Sequence, residues 1–171
     1  MTEEKAVRSQ LLAAVRNFVR SASRLSGAQR IALIGSLATT KADPKDADVL
    51  VTVTDDMDLA ALAKLGRRLK GTAQQFNRGA DIFLANPKGI YIGRTCHWKD
   101  CRPGVRMSCD ARNCGLRTFL HDDLETVCLD SLLISAPPLE LWPHVIERSP
   151  LPADVRETLL SPSHLVSDNR A

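Results

Sequence analysis

Three aspartates, one Gly-Ser pair and four closely spaced cysteines are the residues whose types and spacing could do chemistry in this chain. Asp46-Ala47-Asp48 leads directly into the apolar run Val49-Leu50-Val51-Thr52-Val53. In an extended chain residues two apart project to the same side, so Asp46 and Asp48 point together and Ala47 points away. Side-by-side carboxylates disfavour ionisation of both unless a cation lies between them, and a divalent metal is the simplest such cation. Asp81 carries the single charge of Gly79-Ala80-Asp81-Ile82-Phe83-Leu84, at a place where the alternation would accept Val or Ile. A lone carboxylate in a core strand is costly unless paired or coordinated. If its strand lies beside that of Asp48, Asp81 can join the other two. Gly35-Ser36 ends a further apolar run, Ile31 to Ile34. A glycine there lets backbone N–H groups approach a phosphate, Ser36 adds a hydroxyl donor, and a helix starting at that point would aim its positive end at the same anion.

Cys96, Cys101, Cys109 and Cys114 form two C-x4-C pairs separated by seven residues, with His97 and His121 nearby. Thiolates at this spacing can close on a tetrahedral zinc. The competing reading is a set of small buried thiols in a β-hairpin, which the Gly/Pro/Arg-rich surroundings oppose. Cys128, among Leu124, Val127, Leu129 and Leu132, reads as a core thiol.

Gly35-Ser36, then Asp46-x-Asp48, then Asp81 between Ala80 and Ile82 resembles the nucleotidyltransferase superfamily that includes DNA polymerase beta, in particular its small bacterial members. The resemblance covers about Ile31 to Leu84. It implies transfer of a nucleotidyl group from a nucleoside triphosphate to an acceptor hydroxyl, with two Mg²⁺ ions held by Asp46, Asp48 and Asp81. It also implies that Gly35 and Ser36 bind the outer phosphates and that Asp81 helps deprotonate the acceptor. Some small members act as antitoxins, so a protein toxin stands among the implied acceptors. Where those members carry Ala-Arg-Gly, this chain reads Ala38-Thr39-Thr40, and Lys41 and Lys45 are the cations nearest to that place.

The elements that must position these residues follow from the periodicity. Val7, Leu11, Val15, Phe18, Ala22 and Leu25 recur at helical spacing and predict a helix from Thr2 to about Leu25, with Arg8, Arg16, Arg20 and Arg24 on another face. That basic face reads as solvated, or as a contact surface for nucleic acid or an acidic partner. A second helix opens at Thr54-Asp55-Asp56, buries Leu59, Leu62, Ala63, Leu65 and Leu69, and ends at Gly71. Strand, helix and strand then bring the chain to Asp81. Ile90-Tyr91-Ile92 predicts a short strand, Asp122 to Ile134 a helix, and Pro152 to Leu160 a last small helix.

With 171 residues, 44% apolar and 25% charged, the chain has the composition of a globular protein with a sizeable core, and no run is long enough to span a bilayer. The absence of a signal-peptide pattern after Met1 leads to the expectation of a cytoplasmic protein, and an odd count of five cysteines there argues for thiols or metal over disulfides. The segment from Lys88 to Arg117 is basic and the chain after Thr118 acidic, so the middle of the chain is expected to meet phosphate.

The expected fold is α/β (α+β): a nucleotidyltransferase-like mixed sheet flanked by helices, with a Cys-rich β extension. Residues 1–135 form the domain, including a Cys-rich insert over 94–117, and residues 136–171 form a C-terminal extension with a frayed tail. The rival to an enzyme is a non-catalytic module of the same fold that binds RNA or a protein through Arg94, Arg102, Arg106, Arg112 and Arg117.

Overall fold

In the computed structural model, residues 3–101, 117–122 and 124–161 are described. The two apolar runs around Gly35 become neighbouring antiparallel strands, β1 (Ala28–Ile34) and β2 (Asp46–Val53), with Ile34 opposite Asp48. Helix α2 (Leu59–Gln74) crosses over to β3 (Gly79–Ala85), which lies parallel to β2. Strands β4 (Tyr91–Thr95) and β5 (Leu120–His121) extend the sheet on that side. On the other side β6 (Leu139–Trp142) pairs with β1, and β7 (Ile146–Glu147) pairs with β6. The result is a seven-stranded mixed sheet in the order β5-β4-β3-β2-β1-β6-β7. No helix among the described residues is long and apolar enough to cross a membrane.

Alternation along the strands divides the core between two faces. Ala47, Val49, Val51 and Val53 of β2, with Ala80, Ile82 and Leu84 of β3, pack against α2 and against α1 (Glu3–Ala22). The buried stripe of α1, Leu11, Leu12, Val15, Phe18 and Ala22, faces them. Each Val, Leu, Ile or Phe side chain of this layer taken fully from water contributes roughly 1.5–3 kcal/mol, which makes the layer the main source of stability. The opposite face carries a smaller cluster of Ala32, Ile34, Leu50, Ala85, Tyr91 and Ile134. Ile134 comes from the short helix α3 (Ser131–Ser135), and α4 (Ala153–Leu159) packs on α1.

Three local expectations are corrected. Helix α2 continues through Gly71 to Gln74; Gly71 is exposed with open space around it, so it weakens the helix without ending it. The helix expected over 122–134 is reduced to α3, capped by the Asp130 carboxylate, which accepts from Leu132 N at 2.7 Å. Val127, Leu129 and Leu133 still reach the second cluster, from the short helix and the irregular segment before it. Leu124 and Cys128 are exposed as a consequence, and Cys128 is not a core thiol.

Candidate active site

The parallel register sets Asp48 beside Asp81 and Asp46 beside Gly79, so all three carboxylates arise on one face of two adjacent strands. Along this face β2 reads Leu50, Asp48, Asp46. Leu50 belongs to the small apolar cluster, Asp48 sits at its margin, and Asp46 is exposed beyond it. The acids therefore occupy the mouth of the sheet, at the point where apolar cover stops. Two glycines make room for them. A Cβ at Gly79 would run into Asp46 Oδ1. A Cβ at Gly35 would stand 2.5 Å from Asp48 Oδ2, and Gly35 adopts φ 71°, ψ −163°, a region that side chains avoid. The Gly-Ser turn thus lies directly against the Asp48 carboxylate.

Partial burial, then repulsion from Asp46 and Asp81, raises the Asp48 pKa from 3.8 to about 7, with Arg94 acting in the opposite direction. Arg94 stands opposite Phe83 on β4, diagonal to Asp81, and its Nη1 lies 3.3 Å from Asp81 Oδ1. His97 Nε2 lies 3.5 Å from the same oxygen and 3.3 Å from Lys70 Nζ at the end of α2. Burial and then Lys70 depress the His97 pKa; Asp81 partly offsets this, while Arg94 and His121 add to it. Asp81 Oδ1 is buried and accepts no hydrogen bond, its near neighbours being these ionic contacts. The sequence pattern did not point to Arg94 as a neighbour of the acids, and it grouped His97 with the cysteines. Only the β3–β4 register brings Arg94 to Asp81, and the packing of α2 sets Lys70 beside His97.

The helix expected after Gly35-Ser36 is a single 3-10 turn, Ser36–Ala38. Lys45, considered as a stand-in for the absent arginine, bonds Asp43 at 2.6 Å. Arg8 is not part of a solvated face. It is buried, and its guanidinium reaches the carbonyls of Leu37, Thr39 and Lys41.

Cys96 is buried and its N–H donates to Phe119 O at 2.8 Å, while Cys101 is half-buried. Cys109 and Cys114 lie outside the described residues, and so does most of the expected Cys-rich extension. Of the basic segment, Arg94 engages Asp81 and Arg117 donates to Thr54 O and Met57 O at 2.8 and 3.0 Å; Arg102, Arg106 and Arg112 lie outside the described residues.

Among the described residues no three His, Cys, Asp or Glu side chains form a group that could hold a metal ion as they stand. Mutually repelling carboxylates are expected to stand apart until a cation draws them together. The donor set nonetheless fits a hard divalent cation: three carboxylates on one face, one with a buried oxygen that accepts no hydrogen bond and one disfavoured as an anion.

Sheet and site together define a mixed α+β protein with an acidic cluster at a strand mouth, facing a Gly-Ser turn. The chain belongs to a family of unknown function, DUF6932, whose model matches residues 1–101. That span contains Gly35, Ser36 and all three aspartates. No curated protein and no solved structure matches the chain.

Proposed function

We propose that this protein is a metal-dependent nucleotidyltransferase that moves a nucleotidyl group from a nucleoside triphosphate to an acceptor hydroxyl. The observation that carries the reading is the shared face of Asp46, Asp48 and Asp81 at the exit of the Gly35-Ser36 turn, with Asp48 disfavoured as an anion in the protein alone. Asp46, Asp48 and Asp81 would hold two Mg²⁺ ions. When bound, these ions supply positive charge to the attacking and leaving oxygens of an in-line displacement. Gly35 N–H and the Ser36 hydroxyl bind outer phosphate oxygens. Asp81 accepts the proton of the acceptor hydroxyl as its oxygen bonds to the α-phosphorus, and the bond from that phosphorus to pyrophosphate breaks. Arg94 and His97 orient the Asp81 carboxylate from the β4 side.

Two described members of the basic segment, Arg94 and Arg117, are engaged within the fold, which favours this reading over a module that binds RNA through them. The test is incubation with labelled nucleoside triphosphates, Mg²⁺ and protein, RNA and small-molecule acceptors, a toxin partner among the proteins. Wild type should transfer label and Asp48→Ala should not. Equal labelling by both proteins would remove the proposal.

A further inference from the structure

Arg8 is 6% exposed, although it comes from a helix whose Arg20 lies in solvent. Its Nη2 donates to Leu37 O at 3.0 Å and Thr39 O at 2.9 Å, its Nη1 to Lys41 O at 3.0 Å, and its Nε to Asp154 Oδ2 at 2.6 Å. The three carbonyls belong to one turn, the continuation of Gly35-Ser36. Within that turn Ala38 N donates to Gly35 O at 3.2 Å, and Thr39 donates twice to Ser36 O, from N at 3.1 Å and from Oγ1 at 2.7 Å. Ser36 is thus bonded into a turn whose alternate carbonyls are gathered by a single guanidinium. In a planar trans peptide the next N–H points opposite to the C=O. Drawing the Thr39 and Lys41 carbonyls inward therefore turns the Thr40 and Ala42 N–H groups outward. A planar fork of five donors suits this task, and a point-charge ammonium does not.

We propose that Arg8 is a positioning residue for the Gly35-Ser36 turn, and that Asp154 on α4 holds Arg8 in that role. The C-terminal helix thereby sets the geometry with which the turn meets a triphosphate. The clamp itself is independent of the reaction; its consequence for nucleotide rests on the proposed function.

The test compares wild type with Arg8→Lys, which keeps the charge without the fork, and with Asp154→Asn, a milder change at a side chain that is 42% exposed. Amide hydrogen exchange of the nucleotide-free proteins should accelerate about tenfold over residues 36–42 in both variants, with β2 and β3 unchanged. With labelled nucleoside triphosphate and Mg²⁺, KM should rise about tenfold while kcat stays within about twofold, a split that a merely structural role would not produce. Unchanged exchange over 36–42 overturns the clamp. Accelerated exchange with unchanged KM overturns the positioning role and leaves the proposed transferase standing. A wild type that transfers nothing to any acceptor overturns the transferase, and with it the positioning of nucleotide.

Discussion

Replacing Asp48 with Asn should make the metal-free protein more stable at pH 8 and leave its stability near pH 4 unchanged. The Asp48 carboxyl has its pKa raised from 3.8 to about 7 by burial and by the carboxylates of Asp46 and Asp81. Between these values the folded protein holds a proton that the unfolded chain has lost, so stability falls as pH rises through that window. The cost is absent below the unfolded pKa and complete above the folded one. A rise of about three pH units at about 1.4 kcal/mol each sets an upper bound of about 4 kcal/mol, or roughly 10 °C in Tm for a chain of this size. Asn is nearly isosteric and has no charge to desolvate, so it escapes this cost. Thermal unfolding of both proteins in chelator at pH 4, 6 and 8 measures the effect. A Tm difference that is the same at all three values, or a variant less stable than wild type at pH 8, would refute the electrostatic reasoning.

Gly35→Ala should cost about 1–3 kcal/mol from the positive φ alone. In a double-mutant cycle with Asp48→Ala part of the loss should return, because the new Cβ meets Asp48 Oδ2; chemical denaturation of the four proteins reads the coupling. Glu140 is buried between Arg30 and Arg148. Glu140→Ala should cost about 3 kcal/mol, since it leaves partly buried arginines without their counter-charge, and urea unfolding checks the size. Thiol labelling of the folded protein followed by peptide mapping should find Cys128 modified well before Cys96, in line with their exposure; equal rates would contradict the described fold.

Much of this arrangement was legible in the sequence. The two-residue period of Asp46-Ala47-Asp48 and the single charge of the Asp81 strand implied acids on one face, and the adjacent parallel strands place them there. The long helical periods of α1 and α2 were equally plain. What sequence could not supply was register and partner choice. Whether Arg94 and His97 meet Asp81 depends on pairing across β3 and β4, which no local pattern encodes. Arg8 read as one arginine of a basic face because its partners are backbone carbonyls far along the chain, and carbonyls leave no mark in a sequence. The 122–134 segment misled for a different reason. Val127 and Leu129 reach the second cluster from irregular backbone while Leu124 and Leu132 stay exposed, so the apolar spacing dictated neither helix nor burial.

The central claim is that the three aspartates bind a nucleoside triphosphate through Mg²⁺. Calorimetric titration of ATP into wild type and Asp46→Asn, each with Mg²⁺ and with chelator, and at two salt concentrations, tests it most directly. Asp46 is exposed at the strand mouth, so the substitution should leave the fold intact. The account predicts binding to wild type only with Mg²⁺, and its collapse in Asp46→Asn. Metal-independent binding that is equal in the two proteins and falls steeply with salt would contradict it, because that is the behaviour of a basic surface meeting phosphate.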